Sequence, residues 1–249
     1  MNLTGKVALV TGGTMGIGAA IAVDLARRGA DIAIAARNLG EEAQRTREQI
    51  EACGRKCLSF VADFSRQQDC EAAVAQTAEH FGRLDVLIHN AGGNAPGRID
   101  EVTPEDWRYA MDVHVNANFY LARAALPYLK QSGEGCIVTV SSTAGIRGVA
   151  GALAYATAKG ALPQFTRSLA RELADDNIRV NCVAPGIIRT RFHSYMTPER
   201  KELNLKHRIP LHREGTPEQV AEAVALLVTN DYITGEMIVV DGGLTSRIV

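Results

Sequence analysis

The chain has 249 residues, of which 46% are hydrophobic and 22% charged, a composition that supplies a sizeable core and excludes a disordered or fibrous protein. Its formal net charge is -1 with no basic stripe, which excludes the electrostatic footprint of a nucleic-acid binder, and no apolar run reaches the length of a membrane span. The cysteines, Cys53, Cys57, Cys70, Cys136 and Cys182, are scattered without paired C-x-x-C knuckles, so they read as free thiols of a reducing compartment, with no metal site and no disulfide assigned.

Residues 7–10 (Val-Ala-Leu-Val) read as a buried strand with no charged leader or cleavage site ahead of it, so a cytoplasmic protein is expected. Thr11-Gly12-Gly13-Thr14-Met15-Gly16-Ile17-Gly18 follows, running into an amphipathic helix expected over 16–28. Between a strand and a helix, a backbone without side chains approaches a pyrophosphate closely while the helix N-terminus faces it. Gly12, Gly16 and Gly18, with Thr14, Met15 and Ile17 between them, are therefore the expected dinucleotide cradle; the alternative is a tight glycine turn without a ligand.

The next strand, 32–36, runs into Ala36-Arg37-Asn38. Asp31 has about the sequence separation of an acidic ribose ligand, roughly twenty residues past the cradle, yet it opens the strand, and the ribose is met at the carboxyl end. Ala36 brings no carboxylate there and Arg37 brings a cation, so a 2'-phosphate would meet attraction without repulsion. NADP(H) is favoured on that ground, with NAD(H) possible.

Helices at 41–53, 66–81, 104–131, 154–174 and 216–229 alternate with strands at 58–62, 84–89, 136–141, 179–183 and 237–240. This rhythm predicts an α/β fold: one doubly wound, parallel, seven-stranded sheet of Rossmann type with helices on both faces. No repeat or linker divides the chain, so residues 1–249 are expected to form a single domain. Segment 187–214 shows no clear strand or packed helix and holds Arg191, Phe192, His193, Tyr195, His207 and His212; a loop of that length is expected to be a substrate lid.

On the helix at 154–174, Tyr155 and Lys159 form an i, i+4 pair on one face, which sets an ammonium beside a phenol. An ordinary phenol titrates near ~10, and each unit of depression requires about 1.4 kcal/mol of preference for the phenolate. A neighbouring cation supplies such a preference, so Tyr155 is a candidate acid/base. Alone, the pair also suits an unremarkable helix surface, and Ser142 suits a strand-end hydroxyl.

Thr11 to Gly18, His89-Asn90-Ala91-Gly92, Ser142, Tyr155-x-x-x-Lys159, Pro185-Gly186 and Asp241-Gly242-Gly243 together resemble the short-chain dehydrogenase/reductases over nearly the whole chain. The resemblance implies an NAD(P)-dependent oxidoreductase in which Tyr155 exchanges a proton with the substrate oxygen, Ser142 orients that oxygen and Lys159 bonds the nicotinamide ribose. It also implies cofactor contacts at Asp63 near the adenine, at Asn90 and Gly92 near the ribose and phosphates, and at Pro185, Gly186, Ile188 and Thr190 along the nicotinamide. Local chemistry alone also suits Asn90 to a turn and Asp63 to a helix cap.

The position where relatives usually carry asparagine falls on His114. There a backbone carbonyl is thought to hold a water of the proton path, so His114 is either a passive replacement, the preferred reading, or an imidazole that joins the relay. Substrate candidates are Asn94, Ala144, Ile146, Ala152, Ile187, Phe192 and His193, which flank the catalytic residues or populate the lid.

The chain resembles the branch that includes 3-oxoacyl-acyl-carrier-protein reductases. Asp175-Asp176, however, would repel an acidic carrier, and Lys130 is the main cation left for docking. A small ketone or secondary alcohol is therefore favoured over an acyl thioester, and a dinucleotide-binding sensor is the non-enzyme alternative. A homotetramer is also implied, for which Leu121, Leu126, Leu162 and Phe165 serve as interface or as core.

Overall fold

In a computed structural model, residues 1–193 and 196–246 are described, His193 by its backbone alone. Tyr195 and the side chain of His193 thus lie outside the described residues. The strands are β1 (Val7–Thr11), β2 (Asp31–Ala36), β3 (Cys57–Val61), β4 (Val86–His89), β5 (Cys136–Val140), β6 (Arg179–Pro185) and β7 (Met237–Val240). They lie in the order β3-β2-β1-β4-β5-β6-β7, every neighbouring pair parallel, as the sequence predicts.

Register brings the carboxyl ends of the strands to one edge: Thr11 pairs with Ala35 and His89, His89 with Thr139, and Pro185 with Val240. Strand order reverses between β1 and β4, the switch point outside which open α/β sheets bind ligands.

The helices are α1 (Gly16–Arg27), α2 (Glu41–Ala52), α3 (Gln67–Phe81), α4 (Pro104–Met111), α5 (Ala117–Ser132), α6 (Leu153–Leu173), α7 (Pro198–Leu203) and α8 (Pro217–Thr229). β1 and β5 are buried along their whole length, which is why they read as near-continuous apolar runs instead of alternating ones. One apolar cluster packs Ile21 and Leu25 of α1 with Val220, Val224 and Leu227 of α8; a second packs Val74 of α3 with Leu121 and Leu129 of α5.

Leu121 and Leu162 therefore belong to the interior and not to an interface, while Leu126 and Phe165 are half-buried. Outward large hydrophobic residues of this region include Trp107 and Tyr109 of α4 and Phe119 of α5. Among the described residues no helix is long and apolar enough to cross a membrane.

Two expectations require correction. The helix expected over 104–131 is divided: α4 begins at a capping box of Thr103 and Asp106, and a π-turn over Asp112–Asn116 separates it from α5. A π-turn widens the helix by one residue per turn and re-aims its side chains, which apolar periodicity does not register.

Segment 187–214, read as a loop without a clear strand or packed helix, contains the short exposed helix α7, started by Thr197, whose hydroxyl accepts from the Arg200 N–H, with Pro198 at the first position. None of its side chains is buried, so it carries no apolar stripe to detect.

Candidate functional site

The glycine cradle is fixed by sterics. Gly12 and Gly16 have φ of +62° and +55°, a region that glycine occupies without strain. A Cβ on Gly18 would stand 2.1 Å from the Gly12 carbonyl oxygen, and one on Gly12 would stand 2.9 Å from Cα of Ala91. Only bare backbone lets β1, α1 and the chain after β4 approach this closely.

Asn90 secures the contact by donating from Nδ2 to the carbonyls of Thr11 (3.3 Å) and Gly12 (3.2 Å). The first turn of α1 has no side-chain cap, so its backbone N–H groups face the cradle. A cradle that any added Cβ would fill, at the N-terminus of a twelve-residue helix, fits a pyrophosphate.

The cradle opens into a cavity of 1210 Å³ lined by Gly12, Thr14, Met15, Gly16, Ile17, Arg37, Asp63, Asn90 and Gly92. The same cavity is lined by Asn94, His114, Ser142, Ala144, Ala152, Tyr155, Lys159, Pro185, Gly186, Ile187, Ile188, Thr190 and Phe192. Gly18 and Ile146 are not on its wall: Gly18 acts through its closeness to Gly12.

Lys159 is 5% exposed, donates from Nζ to the Val140 carbonyl at 2.7 Å and lies 5.8 Å from the centroid of the Tyr155 ring. Burial pushes its ammonium down to about 8, with Cys182 opposing, so it is mostly charged at neutral pH. An ammonium has three N–H donors, and the Val140 bond uses one of them.

The helix holding this lysine is pinned at the same residue. Pro163 has no N–H for the carbonyl four residues back, and the Ser141 hydroxyl donates to that Lys159 carbonyl at 2.7 Å instead. Gly145 completes the approach, since a Cβ there would lie 2.6 Å from the Lys159 carbonyl carbon. Ser142 caps the short turn Thr143–Gly145 by accepting from the Ala144 N–H, leaving its own O–H to donate. The roles of Ser141, Gly145 and Pro163 are not apparent from the sequence; the proline four residues after Lys159 is the available signal.

His114 stands in the π-turn, 2% exposed, its ring edge-on to Tyr155 at 5.4 Å and 85°. It fits because Gly92 has no side chain: a Cβ there would meet the imidazole at 2.4 Å. Nε2 lies 3.0 Å from the Gly93 carbonyl, which only accepts, so Nε2 carries the proton and Nδ1 is an acceptor with no partner among the described residues. Its carbonyl accepts from Asn118 Nδ2 at 2.7 Å.

Burial, then the charge of Lys159, push the imidazole down to about 2 against the pull of the Gly93 bond. Buried His89, held between Thr11 and the Val113 carbonyl, is pushed down to about 4, chiefly by burial.

An imidazole that stays neutral contributes no titration to turnover, so His114→Asn is expected to leave the pH profile of kcat/KM unchanged. It does alter acid stability. In the unfolded chain a histidine takes up its proton near ~6.5, so below that pH the unfolded state binds more protons and stability falls, by about 1.4 kcal/mol per pH unit for each buried histidine. Removing His114 should lower the slope of stability between pH ~6.5 and ~4 by that amount, read as urea midpoints against pH. A shifted activity profile would place the imidazole in the proton relay.

At the adenosine end, Arg37 donates from Nη1 to the Tyr109 hydroxyl at 2.9 Å. Burial pushes the Asp63 carboxyl up, but the bonds from Ser65 and the charges of Arg37 and Arg66 hold it below the usual range. Asp31 opens β2 at the opposite edge of the sheet, paired with Arg55 at 2.8 Å. Tyr109 is a cavity residue the sequence did not suggest, because it stands 72 residues from the arginine it bonds.

A family model described as enoyl-(acyl carrier protein) reductase matches residues 12–245. A tropinone reductase homologue of Arabidopsis thaliana is 41% identical over 249 residues, 98% of this chain and 94% of the relative. The human 3-oxoacyl-[acyl-carrier-protein] reductase is 38% identical over 239 residues, 96% of this chain and 98% of that protein. The solved structure of a short chain dehydrogenase from Burkholderia cenocepacia, in complex with NADP, matches with a TM-score of 0.92 at 38% identity, covering 98% of this chain and 99% of that one.

Proposed function

The chain belongs to the short-chain dehydrogenase/reductase family of oxidoreductases, and from that premise we propose that it interconverts a small ketone and its secondary alcohol with NADP(H). The observation that carries this reading is the placing of Ser142, Tyr155 and Lys159 on the wall of the same cavity as the glycine cradle.

In this reading Gly12, Gly16, Gly18 and the first turn of α1 hold the pyrophosphate, Arg37 and Asp63 the adenosine, and Asn90, Gly92, Pro185, Gly186, Ile188 and Thr190 the remainder. The bound dinucleotide supplies or accepts hydride. Ser142 donates a hydrogen bond to the substrate oxygen. Tyr155 gives that oxygen a proton during reduction and takes one from the alcohol during oxidation. Lys159, charged and buried, favours the phenolate and donates to the ribose.

The name of the human relative favours a second reading, reduction of a 3-oxoacyl thioester. Against it, Lys130 is paired with Asp176 at 2.9 Å, so the cation nearest that docking face is already neutralised by a carboxylate that would itself repel an acidic carrier. The reading also includes a cytoplasmic homotetramer, whose mass light scattering checks.

The test is absorbance of NADPH and NADH, separately, with a panel of ketones and 3-oxoacyl thioesters. NADPH should be preferred, and Arg37→Ala should lower the NADPH-over-NADH preference by about 10- to 100-fold, the value of a hydrogen bond to a charged group. Preference for NADH in the unaltered protein would overturn the role of Arg37, and turnover of thioesters alone would favour the second reading.

A further inference from the structure

The lid, residues 187–214, carries Arg189, Arg191, Arg200, Lys201, Lys206, Arg208 and Arg213 against only Glu199, Glu202 and Glu214. Its carboxylates are engaged elsewhere: Glu214 faces Arg189 (3.5 Å) and Lys201 (4.0 Å), Glu202 pairs with Lys206 at 2.5 Å, and Glu199 is bonded at the helix start by Thr197. Arg191 reaches across the cleft to Glu42 at 3.2 Å. Arg200 and Arg208 line the cavity, and among the described residues neither forms an ion pair.

Arg208 is held in place. It is half-buried, and its Nη1 donates at 2.9 Å to Oδ1 of Asn204, a side chain 2% exposed whose Nδ2 in turn donates to Met196 at 3.2 Å. Burial, then the nearby charge of Arg200, hold the Arg208 guanidinium below its usual range. Two guanidinium groups brought together without a counter-ion repel one another, a cost that a bound anion offsets.

The dinucleotide's own anionic groups already have partners in the reading above: the pyrophosphate at the glycine cradle and a 2'-phosphate at Arg37. Arg147, which follows Ser142 by five residues, lines the same cavity and is tied by Nη2 to the Thr245 carbonyl at 2.7 Å. The turn carrying Thr245 packs on the lid, since a Cβ on Gly243 would meet Pro210 at 2.9 Å. Arg147 therefore adjoins the segment that carries Arg200 and Arg208, and all three line the cavity that holds Ser142.

We propose that the physiological substrate is a ketone or alcohol bearing a carboxylate or phosphate group, which Arg208 and Arg200 bind from the lid with Arg147 beside them. This rests on the oxidoreductase reading of the same site. Short 2-, 3-, 4- and 5-oxo acids are compared with their methyl esters, and dihydroxyacetone phosphate with dihydroxyacetone, which separates carboxylate from phosphate as the source of charge. At least one anion should exceed its neutral partner in kcat/KM by about 10-fold or more, and Arg208→Gln or Arg200→Gln should reduce that ratio by about 10- to 100-fold through KM.

Neutral partners matching every anion, or variants that leave the ratio intact, would overturn the proposal. So would a fall in NADPH affinity by fluorescence titration as large as the fall in the ratio, since the arginines would then serve the cofactor. If no carbonyl is reduced although NADPH binds, the oxidoreductase reading fails separately. Calorimetry on the NADPH complex then decides the anion site: pentanoate or inorganic phosphate binding lost in Arg208→Gln supports it, and no binding in the unaltered protein overturns it.

Discussion

Tyr155→Phe should lose turnover by about 10³-fold while NADPH still binds, because a positioned general acid contributes typically ~10²- to 10⁴-fold and the phenol is that acid in the proposed function. The phenylalanine ring keeps the same packing, edge-on to His114 at 5.4 Å and tilted against Phe192 at 5.9 Å. Lys159 keeps its bond to the Val140 carbonyl, 2.7 Å long.

The experiment has two readings: absorbance of NADPH for turnover, and quenching or enhancement of its fluorescence for binding. Turnover within tenfold of the unaltered protein would assign the proton to another group. Loss of binding together with turnover would make the hydroxyl a structural element and not an acid.

The sheet was legible because its strands are local objects. Residues 237–240 read as a strand and form β7, and the β-rich runs ahead of Thr11, Arg37 and Asn90 became β1, β2 and β4. Their alignment brings the glycine turn and the Tyr155 helix to one edge, a consequence of parallel pairing that spacing anticipates.

Contacts made between elements were not legible. Nothing local joins Arg37 to Tyr109, or Ser141 to the carbonyl that Pro163 leaves unbonded. The π-turn at Asp112–Asn116 is a fault in helical period that only a fixed partner reveals: His114 is held inward by the Gly93 carbonyl and accommodated by the absent side chain of Gly92. Helix α7 had a readable start, Thr197-Pro198, but its exposed side chains gave no periodic pattern against which to weigh it.

Lys159→Met should abolish turnover and yet make the protein slightly more stable at neutral pH. The unaltered lysine has its ammonium moved from 10.5 to about 8 by burial, so below pH ~8 folding carries the full cost of a buried charge, about 3 kcal/mol at 1.4 kcal/mol per unit. Methionine fills a similar volume without that charge but leaves the Val140 carbonyl without a donor, a loss of about 1–3 kcal/mol. The balance is near 1 kcal/mol in favour of the variant, a rise in Tm of about 2–4 °C for a chain of this size.

The sign of the pH dependence is fixed. As pH rises from about 8 to 10.5 the folded state releases the lysine proton before the unfolded state does, so the unfolded state binds more protons and the unaltered protein gains stability relative to the variant. The variant's advantage should therefore shrink over that interval, read as paired urea midpoints at pH 7 and 10. A constant difference would mean that the folded protein keeps the Lys159 proton across the interval, as the unfolded chain does. A variant several kcal/mol less stable at pH 7 would mean that the bond to Val140 outweighs the cost of the buried charge, and the lysine would then be a structural residue as much as a catalytic one.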